Sequence, residues 1–375
     1  MLSKLRFRLV INHLHEAHES SLYGTLSQSK GHRTLSRRVM NSTDEQKHIS
    51  DHHRETIVFT NCALNVPFML VAVIGNALVL VSMLKTPCIR SMSKTMLGSL
   101  AFSDLLVGLL AQPLFIADEL QSLKKKDPIL YRLSAMIGFF VGGVSLGTIT
   151  VITVDRLLAL HYHMRHVLIV TKTRVKYTLG IIWLGMFLSL GVYLWDKYIF
   201  HFMGGIFSAV CIIICTFSYI RIYRIVRYHQ HQIHIQQNAV ENASAGIQIP
   251  LGRLKKSAMS TFVFYFCMIV CYFPYFVLLT LFGTLRIEWK PEWTFSTTFA
   301  CMNSAINPVL YCWRLCELRE AVIKTIKLLL PFRTNETGAR FEVTRIWIRA
   351  VSLSMTLLGL ASGTQQVNFY NRSSC

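Results

Sequence analysis

Charged residues are scarce in this chain. Asp, Glu, Lys and Arg make up 15% of its 375 residues, whereas 52% are hydrophobic. A soluble domain carries about 25–35% charged residues on its surface, so this composition excludes an ordinary water-soluble enzyme. The 9 prolines and 20 glycines are too few for a collagen or a low-complexity chain. The composition therefore favours a protein whose solvent is the lipid bilayer.

Acidic residues are particularly few, with 19 Asp and Glu against 39 Lys and Arg, for a net charge of +20. The basic residues lie between apolar blocks and form no single stripe, so we expect no nucleic-acid partner. The 10 cysteines include no zinc-type CxxC pair. The sequence also lacks a catalytic triad, a phosphate-binding glycine loop and a metal motif, and we expect no enzymatic activity.

Seven apolar blocks are each long enough to cross a membrane. A transmembrane helix needs about 20 residues, and these blocks lack the strict alternation of barrel strands. The predicted fold is an all-α membrane protein, a seven-transmembrane-helix bundle. The predicted spans are Ile57–Leu84, Met96–Ile116, Ile129–Leu160, Tyr177–Trp195, Ile199–Ile225, Met259–Phe282 and Trp293–Trp313.

The positive residues predict the orientation of the bundle. Lys and Arg are concentrated in the connections that follow the odd-numbered spans and in the segment after span seven. Cytoplasmic loops carry this excess, so the N-terminus is predicted to be extracellular in a multi-pass protein of the plasma membrane. The triplet Lys124–Lys126, on the opposite side, is an exception.

Four regions follow from these spans. Residues 1–56 form an extracellular tail, 57–313 the membrane domain, 314–330 a short amphipathic helix at the cytoplasmic membrane surface, and 331–375 a cytoplasmic tail. Asn41 begins an Asn-Ser-Thr glycosylation sequon directly after Met40. We expect translation to start at Met40; the alternative is that the whole tail is genuine and disordered.

Asp104 is the clearest polar residue at membrane depth. A charge at mid-bilayer costs at least about 2.5–3.5 kcal/mol, so it indicates either a functional site or a paired internal network. Asparagine and serine residues at similar depth could surround it, and their oxygens would suit a hydrated cation. A purely structural hydrogen-bond network is the alternative. The predicted cluster is Asn76, Asp104, Ser145, Asn303, Ser304 and Asn307.

Two further features concern the ends and bends of helices. Asp155 and Arg156 end span three. The two side chains could form an ion pair, or the arginine could be released to bind a cytoplasmic partner. The alternative is that the arginine only extends to the polar surface of the membrane. Pro274 and Pro308 lie inside spans six and seven, where a missing N–H bends a helix. Such a bend can be a hinge or a fixed structural feature.

Taken in order, these motifs resemble the rhodopsin-like (class A) G-protein-coupled receptors over residues 57–330. Each motif is weak alone, but their occurrence in the right spans is specific. They are Gly75-Asn76 with Val79, Leu100-Ala101-Phe102-Ser103-Asp104, Asp155-Arg156-Leu157, Trp183, Tyr219, Cys271-Tyr272-Phe273-Pro274 and Asn307-Pro308-Val309-Leu310-Tyr311.

The resemblance implies a receptor that transduces an extracellular ligand into activation of a heterotrimeric G protein. An outward swing of helix six about Pro274 would open a cytoplasmic cleft. Arg156 would meet the G protein beside Asp155, and Tyr219 and Tyr311 would hold the open state. The Asp104 cluster would bind sodium, an allosteric modulator favouring the closed state, and no other cofactor or metal is expected.

Departures from the family pattern point to a subgroup. The usual disulfide is excluded, because Tyr131 stands at the helix-three position and no cysteine lies between Cys88 and Cys211. Spans four and five are joined by little more than Asp196-Lys197-Tyr198, and Cys211 stands near the place of the usual helix-five proline. In lacking these three features, the sequence resembles the subgroup of melanocortin, lysophospholipid, cannabinoid and adenosine receptors.

Other departures concern the resting state. Leu157 follows Asp155-Arg156 in place of the usual tyrosine, and Tyr272 replaces the usual tryptophan before Pro274. The start of helix six offers no acid to pair with Arg156. We therefore expect signalling without ligand.

The sequence limits the class of ligand mainly by exclusion. Cys301 stands where an opsin has its retinal lysine, and Gly138 stands where amine receptors have a carboxylate, so neither retinal nor an ordinary monoamine is favoured. A peptide, lipid or nucleoside-like ligand remains. Asp118 and Glu119 could attract a cationic peptide or form a solvated loop edge. Side chains that could line the cavity, or pack against membrane lipids, are Trp195, His201, Tyr272, Phe273 and Trp293.

Two other functions compete with a receptor. A transporter or channel would place Asp104 on a conduction path, but the halves of the chain show no inverted repeat. A membrane enzyme would need a paired acid and base or a metal site, and neither pattern is present. The receptor is the favoured hypothesis.

Overall fold

The computed structural model describes residues 31–85, 91–124, 127–162, 166–241, 251–285, 294–314 and 316–329. The chain divides into two compact units, residues 1–57 and 58–375. In the first unit the described residues are helical and belong to α1 (Gly31–Lys85). Asn41 lies in this helix, and its side chain is outside the described ones.

Helices account for nearly all of the described residues, and no strand occurs among them. The all-α prediction is confirmed. After α1 the helices are α2 (Ser91–Leu106), a π-helical turn (Val107–Ala111), α3 (Gln112–Ser122), α4 (Pro128–Tyr162), α5 (His166–Ile169), α6 (Lys172–Trp195), α7 (Lys197–Glu241), α8 (Leu251–Leu285), α9 (Thr294–Arg314) and α10 (Cys316–Leu329).

Within the described part of the chain, six helical stretches are long and apolar enough to cross a membrane: Asp51–Lys85, Met92–Ser122, Pro128–Tyr162, Lys172–Trp195, Lys197–Tyr228 and Tyr265–Leu285. The seventh member of the bundle, α9, is more polar. Its polar side chains, among them Thr298, Asn303 and Asn307, are buried against the other helices. Because these groups face protein and not lipid, α9 completes the seven-helix bundle despite its composition.

The π-helical turn divides the second span into α2 and α3. Pro113 lacks the N–H that an α-helical bond would need, and the N–H of Gln112 bonds the carbonyl of Val107 instead. One extra residue in a turn rotates everything after it by about 100°. Gln112 and Glu119, which follow the turn, are consequently buried inside the bundle.

Apolar layers hold the helices together. At the end where α6 meets α7, which we call the mouth end, Phe139 and Phe200 pack with Leu279. At the opposite end, which we call the α10 end, Leu318 and Val322 of α10 pack against Val79, Leu100 and Tyr311. The apolar side of α10 is therefore covered by the bundle. Many apolar side chains of α6 instead face outward, as expected for contact with lipid: Tyr177, Ile181, Leu184, Phe187 and Leu188.

Candidate functional site

Asp104 lies fully buried near the middle of the bundle. Its Oδ1 atom accepts hydrogen bonds from Ser304 Oγ at 2.8 Å and from Ser145 Oγ at 3.0 Å. Its Oδ2 atom accepts one from Asn307 Nδ2 at 2.8 Å. Ser103, which the predicted cluster did not include, accepts a hydrogen bond from Ser145, with 2.9 Å between the two hydroxyl oxygens. The carboxylate thus links α2, α4 and α9.

Two members of the predicted cluster have other partners. Asn76 Nδ2 donates to the carbonyls of Ala72 at 2.8 Å and Ser304 at 3.0 Å, which ties α1 to α9. Asn303 Nδ2 donates to the hydroxyl of Tyr272 at 3.4 Å, which ties α9 to α8. The structure therefore brings Ser145, Ser304 and Asn307 onto Asp104, and uses the two asparagines to join neighbouring helices.

A cavity of about 150 Å³ lies between the helices at the mouth end. Among the predicted ligand-contacting residues, Asp118, Glu119, Gly138 and Tyr272 line it, as does His201. The rest of its wall is mainly apolar and includes Val107, Phe115, Phe139, Leu146, Phe207 and Leu279. The connection between α6 and α7 is the single non-helical residue Asp196, which is too short to cover the cavity.

Two predicted lining residues lie elsewhere. Trp195 is the last residue of α6 and is 84% exposed, and Phe273 is 49% exposed on α8. Phe273 follows Tyr272 directly, and one residue turns a helix by about 100°, so the two side chains face different surroundings. Trp195 and Phe273 are not among the described residues that line the cavity. Trp293 lies outside the described residues.

The cavity and the Asp104 cluster share side chains. Ser304 lines the cavity and also donates to Asp104. Tyr272 lines the cavity and accepts a hydrogen bond from Asn303. A change of shape in the cavity therefore reaches the buried carboxylate through direct contacts.

Asp155 and Arg156 lie inside α4, towards the α10 end, and they do not pair with each other in the structure. Asp155 Oδ1 lies 2.9 Å from Nε2 of His166, the first residue of α5. Arg156 has no ion pair with the described side chains, and its buried Nε atom has no hydrogen-bond partner among them. The inner start of α8, with Leu254, Lys255 and Lys256, lies outside the described side chains.

The remaining predicted switch residues lie on three helices. The Tyr219 hydroxyl is 3.5 Å from Thr153 Oγ1, and its ring packs against Tyr265 with the ring centroids 4.8 Å apart. Tyr311 is buried near the α10 end. Pro274 lies inside α8.

Sequence reasoning missed His166, Gln112 and Gly142. His166 follows the third span in a connection that has no periodic pattern. Gln112 depends on the π-helical turn, for which its neighbour Pro113 was the available signal. Gly142 follows Gly138 by one helical turn and lines the same cavity, and this spacing could have been noticed.

Known proteins resemble this chain over most of the bundle. The model of the 7 transmembrane receptor (rhodopsin family) matches residues 75–195. The Cannabinoid receptor type 1B of Takifugu rubripes is 24% identical over 287 residues, covering 67% of this chain and 59% of that receptor. The Alpha-1A adrenergic receptor of Oryzias latipes is 23% identical over 301 residues, covering 68% and 63%. The Adenosine receptor A2b of Gallus gallus is 23% identical over 353 residues, covering 80% and 99%.

The chain spans about six-tenths of the length of the cannabinoid and adrenergic relatives. The residues that the family model matches include the motifs centred on Asn76, Asp104 and Asp155. With its apolar helices, the chain is a multi-pass membrane protein. These matches support a rhodopsin-like (class A) G-protein-coupled receptor.

Proposed function

We propose that this protein is a plasma-membrane receptor that binds an extracellular ligand in the mouth-end cavity and activates a heterotrimeric G protein at the α10 end. The observation that supports this proposal best is the double role of Ser304. Its side chain lines the cavity and donates to Asp104 at 2.8 Å. A ligand that moves the cavity wall therefore acts directly on the polar centre of the bundle.

The mechanism rests on two states with different affinities for the ligand. A ligand shifts the equilibrium only by the difference between its affinities for the two states. Tyr272 and Pro274 lie two residues apart on α8, so contact with Tyr272 acts next to the proline of that helix. An outward swing of the far end of α8 would expose Arg156 to the G protein, with Tyr219 and Tyr311 supporting the open arrangement.

We also propose that the Asp104 cluster holds a sodium ion in the closed state. The surroundings fit such an ion, because the hydroxyl oxygens of Ser145 and Ser304 adjoin the carboxylate and the buried Oδ1 atom of Asn76 has no partner among the described residues. No group of three His, Cys, Asp or Glu side chains that could hold a metal occurs in the described part of the chain. A single carboxylate with neutral oxygens suits a monovalent ion. When bound, sodium would supply positive charge that stabilises the ionised Asp104.

Signalling without ligand is part of the proposal. Asp155 is engaged by His166, so the carboxylate next to Arg156 in the chain does not hold the guanidinium. An arginine without this restraint is available to a G protein. The closed state is therefore stabilised less than in a receptor whose arginine is paired.

The ligand class follows the subgroup that the sequence resembles. Relatives include a cannabinoid receptor and an adenosine receptor, which supports a lipid or nucleoside-like ligand, and also an adrenergic receptor. A cationic peptide is also a candidate ligand, because Asp118 and Glu119 line the cavity at the mouth end. We further propose an extracellular N-terminus glycosylated at Asn41.

Recruitment of an engineered mini-G protein in cells tests the function. We expect recruitment above mock-transfected cells for the wild type, and its loss in Arg156→Ala. Arg224→Ala is the matched control, because Arg224 is exposed on α7. No recruitment of any mini-G class at confirmed surface expression, with ligands from all three classes, would contradict the proposal. Epitope tags on the two termini must also report opposite sides of the membrane.

A further inference from the structure

We propose that the first turns of α6 bind a phospholipid of the cytoplasmic leaflet whose headgroup carries a phosphate monoester. The surface consists of Lys172, Thr173, Lys176, Tyr177 and Gly180, and we call it the α6 surface. This inference goes beyond the proposed function and requires only that the α10 end, where α6 begins, faces the cytoplasm. The charges, the exposed hydroxyl groups and the apolar residues on one side of this helix support it.

The α6 surface lies in a part of the chain that has almost no acidic residues. Between Arg156 and Val240 the sequence contains a single Asp or Glu, which is Asp196 at the mouth end. Lys172 and Lys176 are exposed, and neither has an ion pair or a side-chain hydrogen bond with the described residues. The charge of both lysines is therefore available to an anion from outside the protein.

The spacing of these lysines favours a bound anion. Lys172 and Lys176 are about one helical turn apart, and like charges at this spacing destabilise a helix. Arg174 projects from another side of α6, and its Nη1 atom donates to the carbonyl of Ile169 at 2.8 Å. A phosphate monoester carries a charge of about −1.5 to −2 at pH 7. Placed between the two ammonium groups, it would replace their repulsion by attraction.

Two hydroxyl groups accompany the lysines. Thr173 and Tyr177 each follow one of the lysines in the chain, and both are exposed, Tyr177 to 71%. A phosphate monoester has three acceptor oxygens, and ammonium and hydroxyl groups can donate to them. The α6 surface thus matches a phosphate monoester better than a phosphatidylserine headgroup, which has a single net negative charge and an amine of its own.

The lysines begin a row of residues that continues along the apolar part of α6. Lys172, Lys176, Gly180, Leu184 and Leu188 follow at intervals of four, which places them along one side of the helix. Leu184 and Leu188 are 58% and 63% exposed, and a Cβ atom added at Gly180 would have no heavy atom within 4 Å. From Lys176 to Leu188 the row is about 18 Å long, a little more than half of the roughly 30 Å hydrocarbon core. An acyl chain can lie along this row with its headgroup at the lysines.

A lipid is the one kind of partner that would cover both parts of the row. The apolar stretch of α6 is 17% buried, the lowest fraction among the six described stretches that could cross a membrane. An acidic protein segment could contact the lysines but would leave the leucines of the row uncovered. Anionic lipids are concentrated in the cytoplasmic leaflet, which is the side proposed for the beginning of α6.

Thermal unfolding of the purified full-length protein in detergent measures binding, because a lipid that binds the folded state raises the melting temperature. The probes are the dioctanoyl forms of phosphatidic acid, phosphatidylinositol 4,5-bisphosphate, phosphatidylserine and phosphatidylcholine, together with free inositol 1,4,5-trisphosphate. We expect the two lipids with a phosphate monoester to raise the melting temperature at lower concentrations than phosphatidylserine. Phosphatidylcholine and the free headgroup should have no effect.

Three results would overturn the proposal. Equal effects of all four lipids would show that the headgroup is not recognised. No effect of the two monoester lipids would leave an acidic protein as the partner of the lysines. An effect of inositol trisphosphate equal to that of its lipid would show that a soluble phosphate, and not a lipid, occupies the surface.

Variants of the lysines locate the headgroup. Lys172→Gln/Lys176→Gln should weaken binding of the monoester lipids by about 25-fold, at about five-fold for each lysine near the membrane surface. Lys85→Gln/Lys324→Gln is the matched control, because it removes the same charge from two exposed lysines at the α10 end. Lys172→Arg/Lys176→Arg keeps both charges and should retain binding. Equal weakening in the two glutamine variants would show that only the net charge matters, and would overturn the site.

A variant of the glycine tests the apolar row. Leucine at position 180 fills the gap between Lys176 and Leu184, so Gly180→Leu should remove most of the advantage of the bisphosphate lipid over free inositol trisphosphate. Gly191→Leu is the control, because Gly191 is also exposed with no heavy atom near an added Cβ, but lies towards the mouth end. An unchanged advantage in Gly180→Leu would overturn the role of the row.

The melting temperature of each variant without lipid separates loss of binding from loss of folding. Leucine favours a helix over glycine, so the two glycine variants should fold. The assay contains neither a receptor ligand nor a G protein. Its failure would therefore leave the proposed function untouched, and failure of mini-G recruitment would leave the lipid site untouched.

Discussion

His166 Nε2 lies 2.9 Å from Asp155 Oδ1, and both side chains are more than nine-tenths buried. This contact joins the last turns of α4 to the start of α5. It also determines the surroundings of Arg156, because the carboxylate that could hold the arginine is occupied by another residue. In the proposed mechanism, the resting state would therefore depend on a residue that lies between the third and fourth spans.

Replacing His166 should restrain Arg156. In His166→Ala, Asp155 loses its partner, and we expect its carboxylate to pair with Arg156. A charged hydrogen bond contributes about 1.5–3 kcal/mol, so ligand-free mini-G recruitment should fall about ten-fold. His161→Ala is the control, since His161 is exposed on the same segment. Asp155→Asn, which removes the charge, should not lower recruitment. Higher recruitment in His166→Ala at equal surface expression would contradict the prediction.

Asp104 should make the receptor sensitive to sodium. Without ligand, mini-G binding should be weaker in membranes with sodium as the main cation than in membranes with potassium. The expected difference is about five-fold or more, the typical size of the coupling between two binding sites. Asp104→Asn should abolish the difference between the two cations. Asp118→Asn is the matched control, because it removes a carboxylate from the cavity and leaves the cluster intact. Equal sodium sensitivity in wild type and Asp104→Asn would refute the site.

The bundle and much of its polar centre were predictable from the sequence. Apolar runs locate the helices because the bilayer imposes both their length and their composition. Depth along each run then placed Ser145, Ser304 and Asn307 near Asp104. The charged residue could be recognised because an aspartate is costly among lipids and has to be enclosed by protein.

The directions of individual side chains were less predictable. Spacing along a helix fixes a direction only while the turns remain regular, and the π-helical turn rotates Gln112 and Glu119 by about 100°. The same sensitivity separates Tyr272, inside the cavity, from Phe273 at the surface. His166 could not be placed, because a short connection has no period and its partner is chosen by the tertiary fold.

A buried polar network near the mouth end should contribute measurably to stability. Asn65 Nδ2 donates to Thr298 Oγ1 at 2.6 Å, and the Thr298 hydroxyl donates to Asn61 Oδ1, which joins α1 to α9. Gln112 Nε2 extends the network from α3, 3.4 Å from Asn65 Oδ1.

Thr298→Val keeps the shape of the side chain but removes the donor to the buried Asn61 Oδ1 and one of the two acceptors of Asn65 Nδ2, the other being the carbonyl of Asn61. The cost is about 1–3 kcal/mol. We expect a lower melting temperature in detergent. Thr297→Val, at the neighbouring position in the cavity wall, should change it little. A similar change in the melting temperature of the two variants would show that the network makes no specific contribution to stability.

Gly283 should be essential for the close approach of α7 and α8. A Cβ atom added there would lie 2.6 Å from the backbone N and 2.8 Å from the Cα of Phe202. Backbone atoms cannot turn away as the end of a side chain can, so Gly283→Ala must push the two helices apart. Overpacking of this kind costs about 1–3 kcal/mol.

The expected result is a clear fall in the melting temperature of Gly283→Ala. Gly191→Ala is the matched control, because an added Cβ there meets no heavy atom within 4 Å and alanine favours a helix over glycine by about 1 kcal/mol. The two substitutions should therefore move the melting temperature in opposite directions. If both raised it, the mouth ends of α7 and α8 would not be held in close contact, and α8 would lack the fixed point about which its other end is proposed to swing.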